Sequence, residues 1–334
     1  MKKKRNLKIG FTAIIAVIVT GTLRHGCRCK NALAEVLPKA ILPCLILAGM
    51  LILGTACSNP AGGGGGSSET LTGHVNIGST AYETIADIQA AITASLGEFT
   101  TVNVTGTRES TGPLSLIIPE GRTVNWTATL TGSGEKINLP NTFLGTLNIT
   151  GGAIQTTSSN QNAITINGAG TVNISGNNTL ITSSNNLGGA IVMQTNARRL
   201  NMSGGTVRNT AASGTQLFAA ISAWPAMNPE IVISGGTVDG NLGVAIVVNG
   251  NTNSSIIISG NETIITSANT NADRGTIMLD HLTNGTLTIN SGIVQNTGTN
   301  GHAITVNAAN DDTRRSRVTH TGGEVDPMPD WLEQ

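Results

Sequence analysis

The sequence is poor in aromatic and charged residues. Aromatic side chains make up 2% of the 334 residues, and Asp, Glu, Lys and Arg together make up 11%, whereas a typical soluble domain has about 25% charged residues. A chain with so little charge is neither a disordered acidic or basic tail nor a basic nucleic-acid-binding protein. The scarcity of aromatic residues also excludes a globular enzyme built around a large aromatic core. Nucleic acid is therefore not an expected partner.

The charges that are present divide the chain at Cys57. Residues 1–57 carry nine Lys and Arg against a single acid, Glu35, while the rest of the chain carries ten basic and eighteen acidic side chains. The two parts cancel to a formal net charge of +0. We therefore treat residues 1–57 as a leader and the remainder as a separate body.

Cysteine is confined to the leader. The four cysteines are Cys27, Cys29, Cys44 and Cys57, so the body has no disulfide, no cysteine-based metal site and no cysteine nucleophile. Cys27 and Cys29 form a C-x-C pair, but no further cysteine or histidine cluster completes a four-ligand site. We expect neither a metal nor a cofactor.

The leader has the pattern of an export signal. Basic residues 2–5 precede an apolar run over residues 9–23, and a second apolar run covers residues 40–56. The second run ends in Leu53-Gly54-Thr55-Ala56-Cys57, which resembles the lipobox of bacterial lipoproteins. This resemblance implies that Cys57 is lipidated after cleavage and anchors the protein to a membrane of the bacterial envelope, facing the periplasm or the cell exterior. The alternative is two transmembrane helices with a free cysteine.

The residues that follow Cys57 predict a tether. Residues 58–78 include a run of five glycines, Gly62–Gly66, and are rich in serine. Glycine- and serine-rich segments behave as flexible chains. We expect this segment to separate the folded body from the membrane.

A repeat organises the body, which we place at residues 79–325. An apolar–polar–apolar strand followed by a glycine turn recurs every 25 to 31 residues. The copies lie at 147–152, 172–176, 200–205, 231–236, 256–260, 287–292 and 318–323. A second type of strand, such as 163–166, and a third short strand, such as the one around Val238, repeat with the same step. Each repeat therefore holds three strands and three turns.

Strands this short bury an apolar face only when successive copies stack. Alternation places Ile164 and Ile166 inward and Thr165 outward, and in the same way assigns Val247 to the outside. This pattern predicts an all-β fold, a parallel β-helix solenoid with three short strands per coil. Its narrow core fits Ile, Val and Leu without large rings, and glycine suits the corners. The alternative is a β-propeller or a β-sandwich.

Both ends of the solenoid have candidate covers. Thr84-Ile85-Ala86-Asp87 fits a capping box, and Ile88, Ile92 and Leu96 follow at helical spacing. We expect a short amphipathic helix over residues 84–96, within an N-terminal capping segment 79–100. At the other end, residues 326–334, which include Trp331, are expected to form a C-terminal cover or tail.

With its capping helix and an apolar run at 114–121 that ends in Pro119 and Gly121, the chain resembles the pectin-lyase-like right-handed parallel β-helix superfamily. The resemblance covers roughly residues 79–325 and implies a right-handed solenoid. Members of the superfamily include pectate lyases, polygalacturonases, phage tailspikes and surface adhesins. The enzymes use clusters of carboxylates, which bind Ca²⁺ or act as an acid and base pair at a glycosidic bond.

The body offers few candidates for such chemistry. Asp239, Asp280 and His281 are the catalytic candidates, and a polysaccharide lyase or glycoside hydrolase would require Asp239, Asp273 and Asp280 to meet in one groove. Asp280 alternatively belongs to a ladder of amides that includes Asn167, Asn249 and Asn307. Asp311 and Asp312 could chelate a cation, but exposed acids in a loop are more often solvated. We therefore expect a non-enzymatic, adhesin-like body.

Two further expectations concern the outer surface. Trp224 interrupts the repeat, and its ring either stacks on a sugar or covers a loop. Arg208 and Asp239 occupy the same register in successive repeats, so we expect them to meet as an exposed ion pair. Together these features predict a membrane-anchored lipoprotein with a binding or structural body, whose partner is a glycan or a surface protein.

Overall fold

The structure is a computed structural model, and it describes residues 72–211, 218–224, 226, 228–249, 253–280, 285–307, 315 and 317–332. Cys57, the rest of the leader, His281, Asp311 and Asp312 lie outside the described residues. Within the described part, the chain folds as strands β1–β25 and the helix α1, numbered in chain order. None of the helices in these described ranges is long and apolar enough to cross a membrane.

An antiparallel hairpin begins the described chain. Strand β1 (Gly73–Ile77) pairs with β2 (Thr80–Tyr82) and, on its other side, with β3 (Thr101–Glu109). Gly106 allows this close pairing, because a Cβ at this position would lie 2.5 Å from the carbonyl oxygen of His74. Strand β1 therefore lies ahead of the boundary at residue 79 that the sequence pattern placed between tether and body.

The predicted capping helix is present as α1 (Ile85–Glu98). The Thr84 hydroxyl oxygen accepts a hydrogen bond from the Asp87 backbone N–H at 3.0 Å, which satisfies one of the free donors of the first turn. Ile88, Ile92 and Leu96 form the buried face. This face joins the main apolar core, so α1 covers the first coil as expected.

Parallel pairing joins the other strands into three ladders. The first ladder consists of β3, β5 (Thr123–Trp126), β8 (Thr146–Ile149), β11 (Thr171–Ile174), β14 (Arg199–Asn209), β16 (Glu230–Asp239), β18 (Ser255–Ile258), β21 (Thr286–Ile289) and β24 (Val318–His320). The second consists of the end of β3, β6 (Thr129–Thr131), β9 (Ala153–Gln155), β12 (Leu180–Ser183), the second halves of β14 and β16, β19 (Thr263–Ser267), β22 (Ile293–Asn296) and β25 (Glu324–Asp326).

The third ladder consists of β4 (Leu114–Ser115), β7 (Ile137–Leu139), β10 (Ile164–Ile166), β13 (Gly189–Met193), β15 (Ala219–Ala223), β17 (Val244–Asn249), β20 (Ile277–Asp280) and β23 (Ile304–Asn307). Each full coil contributes one segment to each ladder. The predicted all-β solenoid with three short strands per coil and an N-terminal capping helix is confirmed.

The glycines of the repeat lie at the corner between the first and second ladders. Gly176 adopts a φ of 81°, which is unfavourable for residues with a Cβ. A Cβ there would also lie 2.4 Å from the carbonyl oxygen of Thr150 in the preceding coil. Glycine at this corner therefore permits both the turn and the stacking of coils.

The inward side chains form one continuous apolar core. Ile164 and Ile166 are fully buried, as are Leu147 and Ile149 of the first ladder, whereas Asn148 between the latter two is partly exposed. The inward register is therefore as predicted. The core consists mainly of Ile, Val and Leu, as predicted, but it also holds the fully buried ring of Trp126.

Aromatic rings enter this narrow core where neighbouring backbone leaves room. The indole N–H of Trp126 donates to the Ala128 carbonyl at 2.8 Å, so its polar atom is satisfied. Phe143 is also fully buried, and a Cβ on Gly170 would lie 2.7 Å from its ring. The absence of a side chain at Gly170 therefore makes space for the phenyl ring.

The outer side of the third ladder is less exposed than the alternation pattern indicates. Val247 lies outside the main core, as predicted, but is only 2% exposed. It forms a second small apolar cluster with Ala219, Val244 and Met278. Val247 therefore points outward from the main core, as predicted, but it is not exposed to solvent.

Candidate functional site

A cavity of about 480 Å³ lies beside the last strand of the third ladder, and it is the strongest candidate binding site. Its walls come from β23, from two loops around Asp273 and His302, and from the chain segment 327–331. Met328, Trp331 and Leu332 of the C-terminal segment pack against the main core. The cavity therefore forms where the last coil meets the segment that follows it.

The walls of this cavity combine apolar and hydrogen-bonding groups. Trp331 and Met328 supply apolar surface, while Asp273, His302 and Asp330 supply exposed polar side chains. The Arg315 guanidinium lies 5.7 Å from the centroid of the Trp331 ring, within the range of a cation–π contact. An aromatic ring beside carboxylates can pack against the apolar face of a ligand and accept hydrogen bonds from its hydroxyl groups.

Trp224, the predicted ligand-binding residue, lies elsewhere. It follows β15, its side chain is 52% exposed, and its backbone N–H donates to the Met193 carbonyl at 3.0 Å. It does not line the cavity around Trp331. Trp224 is thus an isolated exposed ring on the side of the solenoid.

Asp239 is held in an ion pair, as predicted. Its Oδ2 lies 2.7 Å from Nε of Arg208 on the preceding coil, and its Oδ1 accepts a hydrogen bond from the Asn241 backbone N–H. A second pair, which the sequence interpretation missed, joins Arg199 to Glu230 at 2.9 Å. Arg199 and Glu230 are one repeat apart in the sequence, as Arg208 and Asp239 are, so the same spacing could have predicted this pair.

The carboxylates proposed for a catalytic groove are on different parts of the solenoid. Asp239 belongs to the second ladder, whereas Asp280 ends β20 of the third ladder, in register with Asn249 and Asn307. Asp273 lines the cavity around Trp331, and Asp239 does not. The side chain of Asp280 is not among those described, so its part in any groove stays a prediction.

Asn167, the first member of the predicted amide column, donates from its side chain to the Asn138 Oδ1 at 3.1 Å, one coil back. Asn138 is in register with Thr165 and lies outside the predicted column, so the column itself stays a prediction. Among the described residues, no group of three or more His, Cys, Asp or Glu side chains could hold a metal ion.

A pair of ionisable residues ahead of β7 escaped the sequence interpretation. Lys136 is fully buried, and its ammonium group donates to the Ser133 carbonyl at 2.6 Å and to the Ser110 carbonyl. Burial lowers the pKa of Lys136 from 10.5 to about 8, because the charged form loses its hydration. Burial also raises the pKa of Glu135, and a hydrogen bond with Thr165 partly offsets this rise.

The fold defines this chain as a parallel β-solenoid, an architecture consistent with that of pectin-lyase-like proteins. No protein-family model, no curated protein and no solved structure matches the chain. The function must therefore be inferred from the residues themselves.

Proposed function

We propose that this chain is a lipid-anchored protein of the bacterial envelope whose β-helical body is an adhesin-like binding module, with a glycan as its ligand. The observation that carries the proposal is the cavity at the C-terminal end, where Trp331 lies with Asp273, His302 and Asp330. Its volume, about 480 Å³, falls within the range of small-ligand sites, about 300–1,000 Å³. A short saccharide offers the apolar ring faces and hydroxyl groups that such walls accommodate.

The anchoring part of the proposal rests on the leader. Cys57 follows an apolar segment and precedes a glycine-rich tether, the arrangement expected of a lipoprotein. A single acyl chain gives only weak membrane binding, so stable anchoring requires more than one chain on Cys57. The tether would then hold the solenoid at a distance from the bilayer, and at that distance large glycans can reach the solenoid.

A glycan array probed with the full-length chain tests the binding part. We expect a restricted set of glycans to bind, and Asp330→Asn to weaken that binding, because the substitution removes an exposed carboxylate of the cavity without removing packed atoms. Glu120→Gln is the matched control, since it likewise replaces an exposed carboxylate by an amide but lies outside the cavity. Absence of binding, or equal losses in the two variants, would contradict the proposal.

A second candidate is a polysaccharide lyase or glycoside hydrolase. It is favoured by one observation: Asp273 and Asp330 line the same cavity, and two carboxylates flank the bond in most glycoside hydrolases. Incubation of the array-positive glycan with the protein distinguishes the two functions. New reducing ends or unsaturated products that disappear in Asp273→Asn would favour the enzyme, whereas an intact ligand would favour the binding module.

A further inference from the structure

The outer side of the first ladder carries a regular array of threonine and asparagine over four successive coils. We call this array the Thr/Asn face, and it has three columns that run across the strands. The residues are Thr101, Asn103, Thr105, Thr123, Asn125, Thr127, Thr146, Asn148, Thr150, Thr171, Asn173 and Ser175. All twelve are partly or fully exposed.

The register of the face is unbroken. Thr101, Thr123, Thr146 and Thr171 are direct partners in successive strands, and the asparagines two positions later are aligned in the same way. Neighbouring coils are about 4.8 Å apart, and alternate residues along a strand are about 6.6 Å apart. The face therefore repeats in two directions.

Hydrogen bonds between coils fix the central column. Asn125 donates to Asn103 at 2.9 Å, Asn148 to Asn125 at 2.9 Å, and Asn173 to Asn148 at 2.8 Å. Each amide is thereby oriented before any partner arrives, which lowers the entropy lost on binding. One further asparagine, Asn201, extends the column. The threonine column ends there, because its next position is Arg199, which pairs with Glu230.

The size and chemistry of the face argue against a folded protein as its partner. Twelve positions at these two spacings cover roughly 400 Å², whereas a standard protein interface takes about 800 Å² from each partner. The twelve residues also include no aromatic residue and no arginine, the types that dominate binding energy between proteins. The binding free energy must instead come from many equivalent contacts, one set for each repeat of the face.

We infer that the Thr/Asn face binds ice. Only a periodic partner contacts every repeat in the same way. The overall affinity of many weak contacts rises steeply when they form together. Ice offers O–H donors and oxygen acceptors in a fixed lattice to an uncharged surface of hydroxyl, amide and methyl groups. A crystalline polysaccharide is the alternative periodic partner, but its broad sugar rings are matched by aromatic side chains, which the face lacks.

Ice growth in the presence of the fluorescently labelled full-length chain tests this inference. We expect the wild-type chain to be incorporated into a growing ice crystal and to slow recrystallisation. Thr146→Lys places a long charged side chain within the face, and we expect it to lower the recrystallisation activity about tenfold or more, because several repeats lose contact together. Thr150→Lys serves as a second variant in another column.

Thr286→Lys is the matched control, since Thr286 occupies the same column as Thr146 but lies five coils beyond it, outside the face. Its activity should equal that of the wild type, and unchanged thermal unfolding would show that all variants are folded. Exclusion of the wild-type chain from ice would overturn the inference. So would equal activity in the three variants, or sedimentation with crystalline cellulose or chitin without incorporation into ice. These outcomes are independent of glycan binding at the cavity around Trp331.

Discussion

Arg208 and Asp239 lie on successive coils with Nε and Oδ2 2.7 Å apart. The two residues are 31 positions apart in the sequence, and their side chains meet because the strands pair in register from Thr206–Thr237 to Arg208–Asp239. The contact thus reports directly on the stacking of repeats. The Arg208 side chain is 48% exposed and that of Asp239 is 16% exposed, so solvent screens the attraction mainly from the arginine side.

We expect Asp239→Asn to lower the free energy of unfolding by about 1 kcal/mol, because the exposed Arg208 side chain keeps the pair hydrated and surface ion pairs contribute little. A double-mutant cycle with Arg208→Gln, measured by chemical denaturation, isolates the pair interaction. A coupling of several kcal/mol would mean that the pair is far less hydrated than its exposure indicates.

The strand register makes a sharper prediction in the core. Ile233 and Ile258 are fully buried partners in adjacent coils, whereas Val232 and Ile257 on the same strands are partly exposed. Ile233→Ala or Ile258→Ala should lower the free energy of unfolding by about 2–5 kcal/mol, since each leaves a cavity. Val232→Ala or Ile257→Ala should cost about 1 kcal/mol or less.

Hydrogen exchange can localise the damage from Ile233→Ala. Coils of a solenoid contact only their neighbours, so we expect amide protection to fall first around Leu200–Met202 and Ile256–Ile258. Equal destabilisation by the inward and outward substitutions would show that the strand register is displaced by one residue.

Short sequence patterns predicted much of this fold because the contacts behind them are either local in sequence or recur at the same position in every coil. Alternation identified the inward side chains, and the Thr84 cap identified the start of α1. The buried Trp126 could not be predicted in this way, since its fit depends on space left by other coils. The burial of Val247 was also not predicted, because alternation considers one strand at a time, whereas Val247 lies in a cluster with Ala219, Val244 and Met278, and Met278 is its partner in the next coil.

The cavity was harder to predict than the fold. Asp273 and Asp330 are distant in sequence and belong to irregular segments, so no periodicity aligns them. Asp273 is a candidate carboxylate and Trp331 part of a C-terminal cover by sequence, but no sequence pattern places the two residues together. By contrast, the side-chain hydrogen bonds between Asn125 and Asn148 follow from the same register that defines the strands.

The proposed anchor can be tested at a single atom. Cys57→Ser removes the thiol that would carry the first lipid, so we expect metabolic incorporation of a labelled fatty acid to be lost and the protein to leave the membrane fraction or to accumulate as an uncleaved precursor. Cys44→Ser is the control, because this cysteine lies within the second apolar run of the leader. Persistent labelling of the Cys57→Ser chain would refute the assignment.

The last prediction uses Lys136, the one lysine in residues 58–334. Its pKa in the folded chain is lowered by burial to about 8, from an ordinary value of 10.5. Between these two pH values the unfolded chain holds the proton while the folded chain has released it, so unfolding takes up a proton. The free energy of unfolding should therefore rise as the pH increases from about 8 to about 10.5. Below pH 8 both states are protonated, and this contribution is constant.

Chemical denaturation at a series of pH values from 7 to about 10.5 measures this slope, and Lys136→Met provides the comparison. The substitution leaves the Ser110 and Ser133 carbonyls without their ammonium partner, so its absolute stability can differ from that of the wild type for reasons unrelated to titration. The slope is the diagnostic quantity, because removal of the amine abolishes proton uptake at this position. We expect the rise above pH 8 to be lost in Lys136→Met. An equal rise in both proteins would show that another group titrates, and that the buried amine keeps an ordinary pKa.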